Sequence, residues 1–462
     1  MVHKTAVLAG IAGVMVAAIP AVAFAQGKSH TRSGAPDPQI SATVADVSPA
    51  RIQQNIEKLV EFQTRQTLSS GTPAASGQGI AAAAEWIRGE FQRYSSECGG
   101  CLEVKTDEFV QQTAPRVPKP TTLTNVYAVL RGTSPANATR IYVVSGHYDS
   151  RNSDTLDAGG EAPGANDDAS GTAVSLECAR VLSKHRFPAT IIFLTVAGEE
   201  QGLYGSAHFA EMAKAQGWDI EAVLNNDIVG GDRTPGQDPQ LVRVFSEGIP
   251  SSATDQQLKQ LRAIGGESDS PSRQLARYVS ESGQQYLAGS RFHPMLVFRR
   301  DRYLRGGDHI SFSEQGYAAV RFTEYRENYN HQHQNVRAEN GIEYGDLPEF
   351  VDYKYTANVA RLNAAILASL ASAPAPPASV HLLTKQLQND STLEWEPSPG
   401  GLATGYEVLW RDTTAPNWEH TQSVGKVTRA TLPLSKDNVI FAVRAVDAKG
   451  HRSLAVVPEP ER

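Results

Sequence analysis

Three apolar runs in this chain, residues 141–145, 190–196 and 219–225, each end abruptly on ionisable or amide side chains. Runs of this length, rich in Ile, Val and Leu and without polar alternation, are strands buried on both faces. Residues 126–130 and 318–322 have the same character, and helical patterns at 80–94, 173–182 and 359–370 are interspersed with them. Strands alternating with helices predict an α/β fold around a central mixed, largely parallel sheet flanked by helices. In such sheets ligands bind beyond the carboxyl ends of the strands. The residues at which these runs stop are therefore the first place to look for chemistry.

The rest of the chain divides by composition. Residues 1–25 carry His3 and Lys4, an apolar stretch, and Ala23-Phe24-Ala25 before Gln26. This is the pattern of a cleaved signal peptide, so the protein is expected to be exported, periplasmic or secreted, with no stable membrane insertion after cleavage. Residues 26–47, rich in Ser, Pro and Gly, are expected to be a flexible lead-in. From Ser48 onward Ile52, Ile56, Leu59, Val60 and Phe62 share a helical face, and the α/β unit is expected to span 48–370. Residues 371–378 (ASAPAPPA) read as a Pro/Ala linker. Beyond it, at 379–462, strand-length runs at 392–395, 405–410 and 439–446 predict a small β-sandwich.

A net charge of -7 without any basic stripe argues against nucleic acid as a partner. Cys98 and Cys101 are spaced to close a small disulfide loop in an oxidising compartment, and Cys178 falls in an apolar helical stretch. All three read as structural.

The strand ends carry five polar segments. His147-Tyr148-Asp149 follows the first run. Asn166-Asp167-Asp168 precedes the helix at 173–182, where an acid has an ordinary use as an N-cap. Glu199-Glu200 follows 190–196, Asn225-Asn226-Asp227 closes 219–225, and His331-Gln332-His333 lies after 318–322. Adjacent glutamates at the end of a buried strand are costly unless solvated, paired or metal-bound. Imidazole and carboxylate together suit zinc with an open position for water.

In GANDDASG and AGEEQGLYGS, and over residues 128–370 generally, the chain resembles the co-catalytic zinc peptidases that include bacterial leucyl aminopeptidases and glutamate carboxypeptidase. The resemblance implies the zinc-exopeptidase fold and two Zn2+ ions per chain. It makes His147 and Asp227 ligands of one ion, Glu200 and a late histidine ligands of the other, and Asp167 the bridge. Glu199 becomes the general base and Asp149 the partner that orients His147. The family's last motif is Tyr-His-Thr with an acid four residues later. Here the same spacing pairs His331 with Asn335, so neither that tyrosine nor the acid is in place. The count favours His331 and leaves His333 open. His309 is expected near the cleft without being a ligand.

The activity implied is removal of N-terminal residues from peptide or protein substrates. A carboxypeptidase is the alternative, and Arg299, Arg300, Arg302 and Arg305 keep it in play because a terminal carboxylate needs positive charge. A non-catalytic binding protein on this scaffold would have lost its ligands, and a single-zinc cyclase would differ in metal content. The segment 379–455 resembles a fibronectin type III module through Trp395, Tyr406, Val408 and the strand at 441–447. Contact with substrate or cell-surface material and a purely stabilising role fit it equally.

Overall fold

The computed structural model describes Met1 and residues 35–461, so the signal-peptide reading of residues 1–25 lies outside the described residues apart from Met1. An eight-stranded sheet runs through the larger unit. Its strands are β1 (Leu102–Gln111), β2 (Thr121–Leu130), β3 (Arg140–His147), β4 (Thr190–Val196), β5 (Asp219–Asn226), β6 (Leu241–Phe245), β7 (His293–Val297) and β8 (Ala319–Glu324). Their order is β1-β2-β4-β3-β5-β8-β6-β7. The four central strands β4, β3, β5 and β8 are mutually parallel, while β1, β2 and β6 join antiparallel. The expected mixed, largely parallel core is what forms.

The helices are α1 (Pro38–Ala45), α2 (Pro49–Val60), α3 (Gly79–Glu97), α4 (Ala169–Leu182), α5 (Glu199–Gly202), α6 (Tyr204–Ala215), α7 (Asp255–Ile264), α8 (Pro271–Tyr286), α9 (His309–Glu314) and α10 (Tyr353–Ser372). Side chains alternate along each strand, so a central strand needs apolar residues for both faces. Tyr142 and Val144 of β3, with Ile191 and Phe193 of β4, pack into the core shared with α2, α3, α4, α8 and α10. Val143, Ile192, Leu194 and Val196 pack on the opposite face with Phe209 of α6 and Phe312 of α9. Among the described residues, no helix is long and apolar enough to cross a membrane.

Two glycines set the depth of the site. A Cβ on Gly146 would lie 2.4 Å from the Gly171 carbonyl carbon, and one on Gly171 would lie 2.0 Å from the Asn226 carbonyl oxygen. Bare backbone at both positions seats the N-terminus of α4 directly on the carboxyl ends of β3 and β5.

Two expectations need correction. The lead-in is not flexible throughout: Pro38–Ala45 is helical, with Asp37 Oδ1 capping the Gln39 and Ile40 amides at 2.7 and 3.2 Å. One helical turn separates Ile40 from Val44, and both are buried against the core that contains α10. The linker at 371–378 is not free either. α10 runs to Ser372, Ala373 and Ala375 are buried, and Arg140 donates to the Ala373 and Pro374 carbonyls at 2.9 and 3.2 Å.

Beyond it lie β11 (Ala378–Leu383), β12 (Ser391–Glu396), β13 (Gly405–Asp412), β14 (His420–Gly425), β15 (Arg429–Leu432), β16 (Val439–Val446) and β17 (Glu459–Glu461), after a short hairpin of β9 (Arg337–Glu339) and β10 (Ile342–Tyr344). β15-β12-β11-β17 and β14-β13-β16 form two small sheets. They enclose Val380, Leu393, Trp395, Tyr406, Val408, Phe441 and Val443.

Candidate metal centre and active site

β3 ends on His147, which is fully buried. Its Nδ1 lies 3.2 Å from the Asp149 carbonyl and 3.4 Å from Asp149 Oδ1. The other ring nitrogen, Nε2, is 3.1 Å from Asp167 Oδ1 and 3.9 Å from Asp227 Oδ1 yet makes no hydrogen bond among the described residues. Asp149 does more than face the histidine. Its Oδ1 accepts the Glu199 amide at 3.3 Å, and its Oδ2 accepts the Glu200 amide at 3.2 Å and the Thr67 hydroxyl at 2.9 Å. One carboxylate thus locks the turn after β4 to the end of β3.

The neighbouring acids before α4 divide their labour. Asp168 caps the helix through the Gly171 amide at 2.9 Å and also accepts the His147 and Ile228 amides at 3.0 and 3.2 Å. Asp167, joined to it by a cis peptide bond, reaches the cavity instead. The Asn166 and Asp167 amides both donate to Asp346, at 2.8 and 2.7 Å, and Gln332 Nε2 donates to Asp167 Oδ2 at 2.9 Å.

After β4, Gly198 takes a left-handed φ of 79° and α5 opens on Glu199 and Glu200. Glu200 is buried, with Oε1 2.9 Å from His333 Nε2 and Oε2 2.9 Å from Arg151 Nε. Asp227, just past β5, pairs with the fully buried Arg321 of β8 at 2.8 Å. The ionisable atoms gather as His147, Glu199 and Asp227, and as Asp167, Glu200 and His333, with the candidate ligand atoms of each group within 4.8 Å of one another. Asp167, beside His147 and also 2.9 Å from His333 Nε2, lies between the groups.

His331, which the spacing favoured as the last ligand, belongs to neither group. Its ring stacks on Phe350 with centroids 3.7 Å apart, and its Nδ1 faces Asp232 at 2.5 Å. The left-handed backbone of His333 (φ 56°) accompanies the reversal that brings the later ring to Asp167 and Glu200. His309, expected near the cleft without being a ligand, is buried with Nε2 on the Arg300 carbonyl at 2.8 Å and is in neither group.

The donor set fits a bound metal cation. Burial opposes charge on His147, but Asp168, Asp149, Asp167 and Asp227 outweigh it and hold the imidazole well above its usual pKa. Burial likewise opposes charge on His333, and Glu200 and Asp167 push it up to about 10. Burial, reinforced by Asp227, Glu200 and Asp308, raises Glu199 well above the usual carboxyl range, with His147 pulling the other way. A cation bound among these groups would displace protons from them and offset the repulsion between the carboxylates. The orphaned His147 Nε2 and the mixture of imidazole and carboxylate are the chemistry of zinc.

The groups open into a cavity of about 760 Å³ lined by Arg116, Arg151, Leu203, Ile228, Arg302, Leu304, Arg305 and Tyr329 among others. Of the four arginines noted in the sequence, Arg302 and Arg305 line it and both pair with Glu327 at 2.8 Å. Arg299 stacks on Tyr303, and Arg300 pairs with Glu314. Sequence reasoning missed Arg151, Arg321, Gln332 and Asp346. A charged residue inside the apolar run of β8 was the available signal for Arg321. Nothing local marks Asp346, which lies 179 positions from Asp167.

A sheet that delivers imidazole and carboxylate ligands to one cleft, with a further glutamate beside them, defines a metallohydrolase. The chain belongs to peptidase family M28, whose family model matches residues 125–349. A "Probable zinc metalloprotease" of Pyrenophora teres f. teres is 48% identical over 431 residues, covering 92% of this chain and 88% of the relative. One from Leptosphaeria maculans is 47% identical, covering 92% of this chain and 98% of its own length. The fold is similar to that of the Legionella pneumophila LapA aminopeptidase, with a TM-score of 0.51 and 21% identity over 72% of this chain and 75% of that one. LapB of the same organism gives 0.52 and 19%, over 73% and 77%.

Proposed function

We propose that this chain is an exported zinc metallo-exopeptidase that removes N-terminal residues from peptides. The observation that carries this reading is the position of Glu199, on the cavity and gathered with His147 and Asp227 in one of the two candidate ligand groups. His147, Asp227, Glu200 and His333 would hold two zinc ions, with Asp167 between them. When bound, zinc supplies Lewis acidity toward a water and toward the scissile carbonyl. Glu199 takes the proton from the attacking water and delivers it to the leaving amine. Asp149 fixes the ring of His147, while Asp346 and Gln332 hold Asp167 in place.

Aminopeptidase action is favoured because Arg302 and Arg305 are already paired with Glu327, and Arg299 and Arg300 lie off the cavity. Arg116 supports the carboxypeptidase reading: it lines the cavity and, among the described residues, has no carboxylate within ion-pair distance. Export is supported by the leader-like residues 1–25 and by the Cys98–Cys101 disulfide. The C-terminal sheets, fibronectin type III-like in sequence, would dock substrate or stabilise the larger unit.

The test is cleavage of matched peptides with free or acetylated N-termini and free or amidated C-termini. Loss of cleavage on acetylation supports the aminopeptidase. Loss on amidation moves the assignment to carboxypeptidase, and cleavage of none removes the hydrolase reading.

A further inference from the structure

A second concentration of buried charge lies far from the sheet edge in sequence, where α8 meets the C-terminal sheets. Arg273 and Arg277 of α8 and Arg411 of β13 are 2%, 1% and 1% exposed. One carboxylate, Asp269, pairs with two of them. It receives Arg277 Nη1 at 3.0 Å and Arg411 Nη2 at 2.8 Å. The remaining hydrogen bonds of those two arginines, among the described residues, go to backbone carbonyls: Pro416 and Ser268 for Arg277, and Asp412, Thr413 and Ala415 for Arg411.

Arg273 is left over. Its Nη2 donates to the Ser246 carbonyl at 3.1 Å, its guanidinium lies 3.8 Å from the centroid of the Phe298 ring, and Nε and Nη1 have no partner among the described residues. Arg411 Nε and Trp418 Nε1 are also unpartnered among the described residues, and Arg277, lying over both the Phe298 and the Trp418 rings, connects them to Arg273 in the same seam. Glu247, the other acid that acts on Arg273, is turned to the amide and hydroxyl of Ser251.

Positive charge therefore exceeds negative charge in an interior. Burial and the neighbouring Arg277 push Arg273 down to about 10, which still leaves it charged at neutral pH. Water could satisfy the free N–H groups but would leave the excess charge uncompensated, and an unpaired buried charge is costly. An anion answers both demands. Dehydration cost rises steeply with ionic charge, so a singly charged ion suits this seam better than sulfate or phosphate.

We infer that the seam between α8 and the C-terminal sheets binds a small monovalent anion of the chloride type, held by Arg273 Nε and Nη1 and facing Arg411 and Trp418. Bound there, it fastens the C-terminal sheets to the larger unit, because its ligands come from both. The inference does not depend on the peptidase reading.

The test uses the full chain and compares thermal unfolding in chloride with unfolding in gluconate at equal ionic strength. A ligand that binds only the folded state raises the midpoint, here by about 3 °C at saturating chloride. Arg273→Met, which removes the excess cation, is expected to abolish the difference. Equal midpoints for the wild type in the two salts, or a chloride effect that persists in Arg273→Met, overturns the site. Should that variant not fold, crystals soaked in bromide decide. An anomalous peak beside Arg273 supports the site, and no peak there removes it.

Discussion

The carboxyl edge of the large sheet and the seam against the C-terminal sheets both bury charge, with opposite sign. At the edge, Asp149, Asp167, Asp168, Glu200 and Asp227 crowd together, with Arg151, Arg321 and the two histidines as partners. At the seam, Arg277 and Arg411 share Asp269, and Arg273 beside them has no carboxylate of its own among the described residues. The edge opens into a cavity and has ligand geometry, so its imbalance draws a cation and supports chemistry. The guanidinium groups of the seam are themselves nearly fully buried and mostly meet backbone carbonyls, so its imbalance serves attachment. Excess buried charge does not by itself mark an active site. Access and convergence of donor atoms make the distinction.

The largest effect expected from breaking this contrast is at the edge. Glu199→Gln should lower kcat/KM by about 100- to 10,000-fold, the usual worth of a general acid–base residue, while zinc content stays unchanged. Steady-state rates with metal analysis on the same sample check it.

At the seam the matching experiment reads stability. Asp269→Asn removes the carboxylate that Arg277 and Arg411 share and should cost about 3–5 kcal/mol in denaturant unfolding. Arg273→Met should cost far less, because it leaves no protein carboxylate without its partner.

The smallest effect concerns a balanced group. His451 bridges Asp447 at 2.8 Å and Asp37 at 3.2 Å, tying the segment before α1 to the C-terminal sheets. Burial alone would lower its pKa, but the two acids raise it above the ordinary value near 6.5. A raised histidine stabilises fully below its unfolded pKa and loses that contribution as pH rises through the folded one. The stability difference between wild type and His451→Asn should therefore shrink from pH 6 to pH 9, by at most about 1 kcal/mol.

The edge was far more legible in the sequence than the seam. Apolar strands that stop on His147, Glu199-Glu200 and Asp227 announce both their burial and their chemistry, because the parallel arrangement sends every carboxyl end to one side. The contest between His331 and His333 was not decided by spacing. It turned on a left-handed residue and on Phe350 taking the earlier ring, and both are tertiary facts. α1 escaped notice because Ser, Pro and Gly around it hid a short capped helix carrying Ile40 and Val44. The seam had no local signature at all, since Arg411 lies 142 positions from Asp269.

The most direct test of the site as drawn is the zinc content of three proteins purified under the same conditions: wild type, His333→Ala and His331→Ala. Near two ions per chain is expected for the wild type and for His331→Ala, with His333→Ala falling toward one. Two ions retained in His333→Ala, with one lost in His331→Ala, would contradict the geometry described here.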